Sequence, residues 1–404
     1  MALTGKHILI GISGGIAAYK IPELIRLLVK DGAEVRVATT QNALQFVTET
    51  TLQTLCGHSV YSDVFAAINE HATEHISLPE WCDAMIVAPA TANVLAKMAA
   101  GIADDALTTT ICSCVARKPM IIAPAMNDKM WENPATQKAI ETIRSWENIR
   151  VIEPAEGPLA CGTVGKGRMP EVEELHEALE YAFTPQTMVG EKVLITAGGT
   201  QEQIDPVRFI SNYSTGKMGI ALAHACARRG AQVTLVCGAV SVPVYNPFGH
   251  IQRVDALSAQ AMYEACMAQW PKMDKAILCA AVADFAPTQT AAEKIKKQAG
   301  QTEMTIQLST TPDIARALGE SKKAGQLLIG FALETENEKE NALQKLERKH
   351  FDAIVLNSLR DKGAGFGTDT NRVTILKADG SVIKLPLQSK AAIADGIVDA
   401  VAKR

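Results

Sequence analysis

Short apolar runs alternate with helical patterns along this chain, and the alternation starts twice. In the first half, β-rich runs fall at His7–Ile12, Glu34–Thr39, Ala84–Ala88, Pro119–Ala123 and Ile149–Ile152. Between them, apolar residues recur at helical spacing over Ile16–Lys30, Thr91–Ala100, Ala106–Val115 and Ala135–Ser145. This alternation predicts a parallel sheet, because parallel neighbours need a crossover and the crossover helices cover both faces. A Gly/Pro-rich loop from Gly157-Pro158 to Met169-Pro170 and an acidic helix, Glu171–Ala182, close this half. Pro185 and Gly190 then bracket a stretch without period, which predicts a linker and a division into domains 1–189 and 190–404.

The second series has β-rich runs at Val193–Ala197, Gln232–Val236, Lys275–Ala281, Leu327–Phe331 and Asp352–Leu356. Its helical patterns lie near Lys217–Arg229, Ala259–Trp270, Thr311–Leu318 and Asn341–Lys349. Arg372–Leu385 reads as a hairpin turning at Asp379-Gly380, and a last helix runs to about Ala402. Two doubly wound, Rossmann-like α/β domains follow. A length of 404 residues, 47% apolar and 21% charged, is enough to build two such cores. No apolar run approaches the about 18 residues that span a bilayer. Met1–Lys6 leads into a strand without a secretory pattern, so a cytoplasmic protein with no membrane partner is expected.

Nine irregularly spaced cysteines fit reduced structural thiols better than a disulfide framework. Cys112 and Cys114 form a CxC with no matching pair, the pattern of thiols buried on a helix. The net charge of −4 is uneven, acidic before position 190 and basic after it. Neither half carries the strongly basic face of a nucleic-acid binder. The basic excess of the second half suits a polyanionic small ligand.

Each half places a glycine turn after its first strand. In Ser13-Gly14-Gly15 the glycines let the backbone approach a phosphate, the N-terminus of the following helix faces it, and Ser13 adds a hydroxyl. GxGxxG and Walker A are absent, so a mononucleotide fits better than a dinucleotide. A tight turn with nothing bound is the alternative at this point. In the second half, Ala197-Gly198-Gly199-Thr200 ends the first strand, and Ser, Thr and Gly at 211–216 precede a helix near Lys217, again an anion cradle. Glu293-Lys294-Ile295-Lys296-Lys297 is a cationic cluster that, by itself, reads as a solvated face. His71-Ala72-Thr73-Glu74-His75 reads as HxxEH, an inverted zinc-protease pattern, without a strong third ligand.

Four stretches resemble the homo-oligomeric flavin-containing cysteine decarboxylases. They are the Ser13-Gly14-Gly15 turn; Ala88-Pro89-Ala90-Thr91-Ala92-Asn93, similar to the PASAN flavin motif with Thr91 for Ser; Pro124 through Trp131, which matches PxMNxxMW; and Ala160-Cys161-Gly162 through Gly167-Arg168-Met169, similar to the substrate-covering flap. The resemblance implies a flavodoxin-like domain holding FMN at Ser13, Gly14, Gly15, Thr40, Pro89, Thr91 and Asn93. It implies that flavin oxidises the substrate's cysteine thiol to a thioaldehyde by accepting a hydride, and the thioaldehyde is the sink for the electrons that the departing carboxylate leaves behind. Asn127 then binds the substrate carboxylate, Met130 packs beside it, Arg168 helps hold the flap, Cys161 supplies a proton, and His75 acts as a base or orients the substrate.

The second half resembles phosphopantothenate–cysteine ligases through Asp205-Pro206-Val207-Arg208 to Gly219 and through Ala280–Phe285 with Glu293–Lys297. Gly199 stands where the family's AGPT has Pro. The resemblance implies that CTP, with Mg2+, activates 4′-phosphopantothenate as an acyl-cytidylate that L-cysteine attacks. It places Lys294 at the triphosphate, Asn212 at the acyl-cytidylate and Arg208 near phosphopantothenate. Ala280, Asp284, Pro312, Asp313, Ile314, Ala315, Phe331, Lys345 and Lys349 fall at the nucleotide. Decarboxylase followed by ligase on one chain implies two consecutive steps of coenzyme A synthesis, 4′-phosphopantothenoylcysteine passing from the second half to the first. It also implies a homo-oligomer, a dodecamer in which His75 serves a neighbour's flavin. The competing classes are a flavin-binding regulatory protein without catalysis, disfavoured by Asn127, Cys161, Asn212 and Lys294, and a nicotinamide dehydrogenase, disfavoured by the missing GxGxxG.

Overall fold

A computed structural model describes residues 2–65, 73–115, 117–159, 162–297, 302–334, 337–358, 365 and 367–402. The chain forms two compact units, Met1–Thr184 and Pro185–Arg404.

The first unit carries a parallel sheet in the order Glu34–Thr39, His7–Ile12, Ala84–Ala90, Met120–Pro124, Ile149–Val151. In chain order this is 2-1-3-4-5, the flavodoxin-like winding. Every residue of Ala84–Ala90 is buried, which requires a continuous apolar run rather than an alternating one. Val94, Leu95 and Met98 on one helix and Leu107 and Ile111 on the next pack with Met85, Val87 and Ile122 of the sheet.

The expected helix Ile16–Lys30 is two elements, a 3-10 turn over Ile16–Lys20 and an α-helix over Ile21–Lys30. Pro22 is the reason: lacking an N–H, it belongs in the first turn of a helix and cannot continue one already begun. The Gly/Pro-rich loop is instead an antiparallel hairpin, Ala155–Pro158 with Val164–Arg168. A further helix, Glu74–Trp81, contains Pro79.

The second unit has eight strands in the order Ile251–Asp255, Gln232–Cys237, Lys192–Ala197, Lys275–Leu278, Leu327–Glu334, Ala353–Ser358, Thr370–Lys377, Val382–Ser389. The first six are parallel and wind 3-2-1-4-5-6, the Rossmann order; the last two are antiparallel. Alternate strand residues face opposite sides. Val193, Ile195, Leu235 and Val355 meet Leu222, Cys226, Ile393 and Ile397 on one side. Leu194, Val236, Leu328 and Ile354 meet Met262, Trp270 and Leu318 on the other. The Trp270 indole N–H donates to the Leu318 carbonyl at 3.0 Å, so this large side chain is buried without an unpaired donor. Arg229 donates to Asp395 at 2.7 Å and to Asp399 at 2.8 Å, tying the segment after helix Lys217–Arg228 to helix Lys390–Ala402. Among the described residues no helix is long and apolar enough to cross a membrane.

Candidate active sites

The first unit opens a cavity of about 1050 Å³ where the strand order reverses between His7–Ile12 and Ala84–Ala90. Ligands of doubly wound sheets bind at such switch points, beyond the carboxyl ends of the strands. Ser13, Gly14 and Gly15 line it from the first strand, Thr40 from the second, and Thr91 and Asn93 from the third. Asn127, Met130 and Arg168 line it from beyond the fourth strand and from the hairpin. The glycines are spatially required: a Cβ on Gly14 would overlap the Asn42 side chain, and one on Gly15 would press on Thr91 at 3.3 Å.

Ser13 departs from its expected use. Its hydroxyl donates to the Pro89 carbonyl at 2.7 Å and accepts from the Thr91 N–H at 3.0 Å. It is fully buried and braces the first turn against the third-strand turn, and its proton is not directed at a ligand. Pro89 does not line the cavity and touches it only through this brace. The α-helix dipole expected behind Gly15 is also displaced, since the α-helix starts only at Ile21.

Asn127 caps the short helix Asp128–Trp131, its amide oxygen accepting from the Lys129 N–H at 2.9 Å. The cap fixes the side chain and leaves the amide nitrogen as its donor. Glu171 accepts from Lys20 at 2.7 Å and from Arg168, joining the first turn to the hairpin. The Lys20 ammonium holds the Glu171 carboxyl below the usual glutamate range. Lys20 and Lys97 are cationic wall residues that the motifs did not single out.

His75 does not line this cavity; it stands on the first turn of Glu74–Trp81. Cys161 and His71 lie outside the described residues. Among the described residues no three His, Cys, Asp or Glu side chains gather as metal ligands.

The second unit has a cavity of ≈ 520 Å³ at its own switch point, between Lys192–Ala197 and Lys275–Leu278. Residues scattered over 70 positions of sequence meet there: Ala280, Asp284, Pro312, Asp313, Ile314, Ala315, Phe331, Lys345 and Lys349. Lys349 donates to Asp313 at 3.0 Å. Burial alone would push the Asp313 carboxyl up, but the Arg316 N–H and Lys349 together hold it below the ordinary aspartate range. Lys217, Asn357, Asn371 and Lys390 also line the wall. Burial first, and Lys217 second, lowers the Lys390 pKa. Only Lys217 had a sequence signal, its place at a helix start.

Arg208, Asn212 and Lys294 lie off this wall. Asn212 donates to the carbonyl of Ala281, itself a wall residue, at 2.9 Å. Asp205 is buried and accepts from Arg208 Nε at 3.0 Å and from the Ile295 N–H at 3.1 Å, while Arg208 donates to the Ile295 carbonyl at 2.8 Å. The exposed Lys294 is thus pinned beside Arg208 through its neighbour Ile295.

Residues 2–183 match the family described as Flavoprotein, and residues 188–404 match the DNA/pantothenate metabolism flavoprotein C-terminal domain. With the two windings, this defines a two-domain flavoprotein. The chain is 45% identical over 403 residues to the coenzyme A biosynthesis bifunctional protein CoaBC of Bacillus subtilis (strain 168), covering 99% of this chain and 97% of that one. It is 42% identical over 406 residues to the protein of the same name from Escherichia coli (strain K12), covering 100% and 98%. A prokaryotic cysteine/cysteine sulfinic acid decarboxylase is 47% identical over 357 residues, covering 87% and 98%. Among solved structures, the C-terminal domain of a CoaBC protein is 40% identical with a TM-score of 0.45, covering 54% of this chain and 96% of that one. The chain belongs to the family of bifunctional coenzyme A biosynthesis proteins, and is an enzyme with decarboxylase and ligase activities.

Proposed function

We propose that residues 190–404 join 4′-phosphopantothenate to L-cysteine using CTP and Mg2+, through an acyl-cytidylate, and that residues 1–189 decarboxylate the resulting 4′-phosphopantothenoylcysteine to 4′-phosphopantetheine using FMN. One observation carries this reading. Nine residues that the ligase resemblance assigns to the nucleotide, far apart in sequence, surround one cavity at a switch point.

The first cavity suits a flavin mononucleotide in size, at the upper end of ordinary ligand pockets, and its Gly14 and Gly15 approach would be filled by any Cβ. Bound flavin supplies a two-electron acceptor and donor beside the substrate thiol. Asn127, fixed by its cap, binds and orients the substrate carboxylate. Met130 gives an apolar contact, and the Arg168–Glu171–Lys20 chain holds the hairpin over the cavity. Cys161 delivers the proton. His75, off the wall of its own cavity, serves a neighbouring subunit's site in a homo-oligomer, a dodecamer in this reading.

In the second site, Lys345 and Lys349 offset nucleotide charge, and Lys294 reaches the triphosphate from its exposed segment. Asn212 contacts the acyl-cytidylate, and Arg208 lies near phosphopantothenate. Mg2+ commonly takes one or two carboxylates and otherwise phosphate and water oxygens. Asp284 and Asp313 are the carboxylates on that wall. The protein works in the cytoplasm.

Purified protein is expected to be yellow and to release pyrophosphate over many turnovers only when CTP, L-cysteine and 4′-phosphopantothenate are all present, CTP with 4′-phosphopantothenate alone giving no more than one equivalent per site. Release without phosphopantothenate, or none from folded protein, refutes the ligase reading. Carbon dioxide is expected from 4′-phosphopantothenoylcysteine in preference to free L-cysteine; the 47% identical cysteine decarboxylase makes the free amino acid the necessary comparison.

A further inference from the structure

We propose that Ser113 is a positioning residue for decarboxylation, its hydroxyl holding the backbone of His75 at a carbonyl that Pro79 leaves without its helical partner. The proposal rests on the reading of His75 as a participant in that reaction.

In an α-helix the carbonyl of one residue accepts from the N–H four residues on. Four residues on from His75 is Pro79, inside helix Glu74–Trp81. Proline has no N–H to give, and its ring crowds the carbonyl it faces. A buried carbonyl left in that state is costly, so a donor from elsewhere is needed. Ser113, on helix Ala106–Cys114, donates its hydroxyl proton to the His75 carbonyl. A helical serine ordinarily turns this proton back on its own helix. The Thr109 and Thr110 carbonyls are within reach at 3.2 and 3.1 Å, but the His75 carbonyl is the nearest of the three.

The tether lands at the end of the helix that has no side-chain cap, since Thr73 at the N-cap makes no such bond. His75 Nδ1 is buried and has no hydrogen-bond partner among the described residues, so no bond at that nitrogen orients the ring. The ring's place is then set by the backbone that carries it, and Ser113 fixes that backbone. Loss of the hydroxyl changes where the imidazole sits without changing the imidazole.

The test uses the full-length, FMN-loaded enzyme and 4′-phosphopantothenoylcysteine. Ser113→Ala is expected to lower the decarboxylation kcat about tenfold, with KM changed less than about twofold, as for one lost hydrogen bond in a positioned group. Ser113→Thr, which keeps the hydroxyl, retains the wild-type rate. Pro79→Ala is near wild type alone, and Ser113→Ala with Pro79→Ala recovers most of the rate, because residue 79 then supplies the missing N–H. A double variant as slow as Ser113→Ala overturns the proposal, as does a full rate in Ser113→Ala while His75→Asn is slow. A full rate in His75→Asn refutes instead the underlying reading of His75, and the proposal falls with it. Ligase rate and flavin content of each variant report folding. If Ser113→Ala folds poorly, Ser113→Cys, a weaker donor in the same place, gives an intermediate rate under the proposal and a wild-type rate if the donor is irrelevant.

Discussion

Gly167 is the point where the hairpin rests on the Asn127 loop, and its replacement by alanine is a direct test of the seated arrangement. Gly167 has φ +154°, and a Cβ built there overlaps the Met126 carbonyl oxygen. The Met126 N–H donates to the Gly167 carbonyl at 2.9 Å, so the two segments are also bonded at this spot. Both partners are backbone, and no side chain can swing away to make room. Forcing a methyl group into such a contact costs about 1–3 kcal/mol. A non-glycine residue at a glycine-only φ costs about 1–3 kcal/mol more. The two lower limits together come to about 2 kcal/mol, or about 30-fold in the equilibrium between a seated and a lifted hairpin. Gly167→Ala is therefore expected to lower kcat/KM for decarboxylation by at least about 30-fold, while pyrophosphate release by the other unit stays at the wild-type rate. Gly165→Ala is the comparison. Its Cβ meets the Asp128 Cβ at 2.8 Å, a looser overlap than the one at Gly167, and its φ is open to any residue, so the loss is several times smaller. Decarboxylation by Gly167→Ala close to the wild-type rate, or equal losses in the two variants, refutes this reasoning.

Ser13→Ala removes the brace between the first and third strand turns and leaves the Thr91 N–H without its acceptor, a loss of about 1–3 kcal/mol; flavin fluorescence titration should show affinity weaker by about tenfold, and unchanged affinity would discard the brace. The Arg208 side chain, ahead of the backbone N–H groups, holds the Asp205 carboxyl well below the usual aspartate range. A depressed folded-state pKa gives stability that is present above the unfolded value of about 3.9 and lost as pH falls toward the folded value. The difference in melting temperature between wild type and Asp205→Asn should therefore be constant from pH 8 to 5 and shrink only below about pH 4, and a difference that changes between pH 6 and 8 contradicts it. Burial pushes the Cys226, Cys266 and Cys279 thiols up to about 12 and Cys237 up to about 11. Among the described cysteines, a thiol reagent at pH 8 should label Cys112 first, which is exposed where its CxC pattern predicted a buried thiol, and Cys226, Cys237 and Cys266 only on unfolding, as read by mass spectrometry.

The two strand series were legible because their inner strands are buried on both sides and read as unbroken apolar runs; His7–Ile12 and Glu34–Thr39 fall on the expected residues. Strand Ile251–Asp255 gave no such signal, since it is a sheet edge with only Ile251 buried. The hairpin at 155–168 was hidden by glycine and proline, which mark loops unless backbone approach calls for them, as at Gly167. Helix Glu74–Trp81 was hidden by Pro79 and by the lack of an apolar stripe. Most residues of the first cavity were legible as contiguous motifs. The residues of the second cavity were legible only through resemblance, because they come from four separate segments that the winding alone brings together. Ser13 illustrates the limit of a motif: a serine beside a glycine turn suggests a ligand donor, whereas its position between two turns makes it an internal tie.

The outermost strands of the second sheet constrain how copies of this chain can meet. Ile251–Asp255 presents Gln252, Arg253 and Asp255 along one margin, and Val382–Ser389 presents Lys384 and Pro386 along the other. Pro386 removes a donor from that margin, and the charged side chains make a dry ladder with another strand unfavourable. Both margins are poor templates for a second chain to continue the sheet. Edge-to-edge growth of this sheet is therefore disfavoured at both margins, and copies of the chain are expected to meet through other surfaces of the unit.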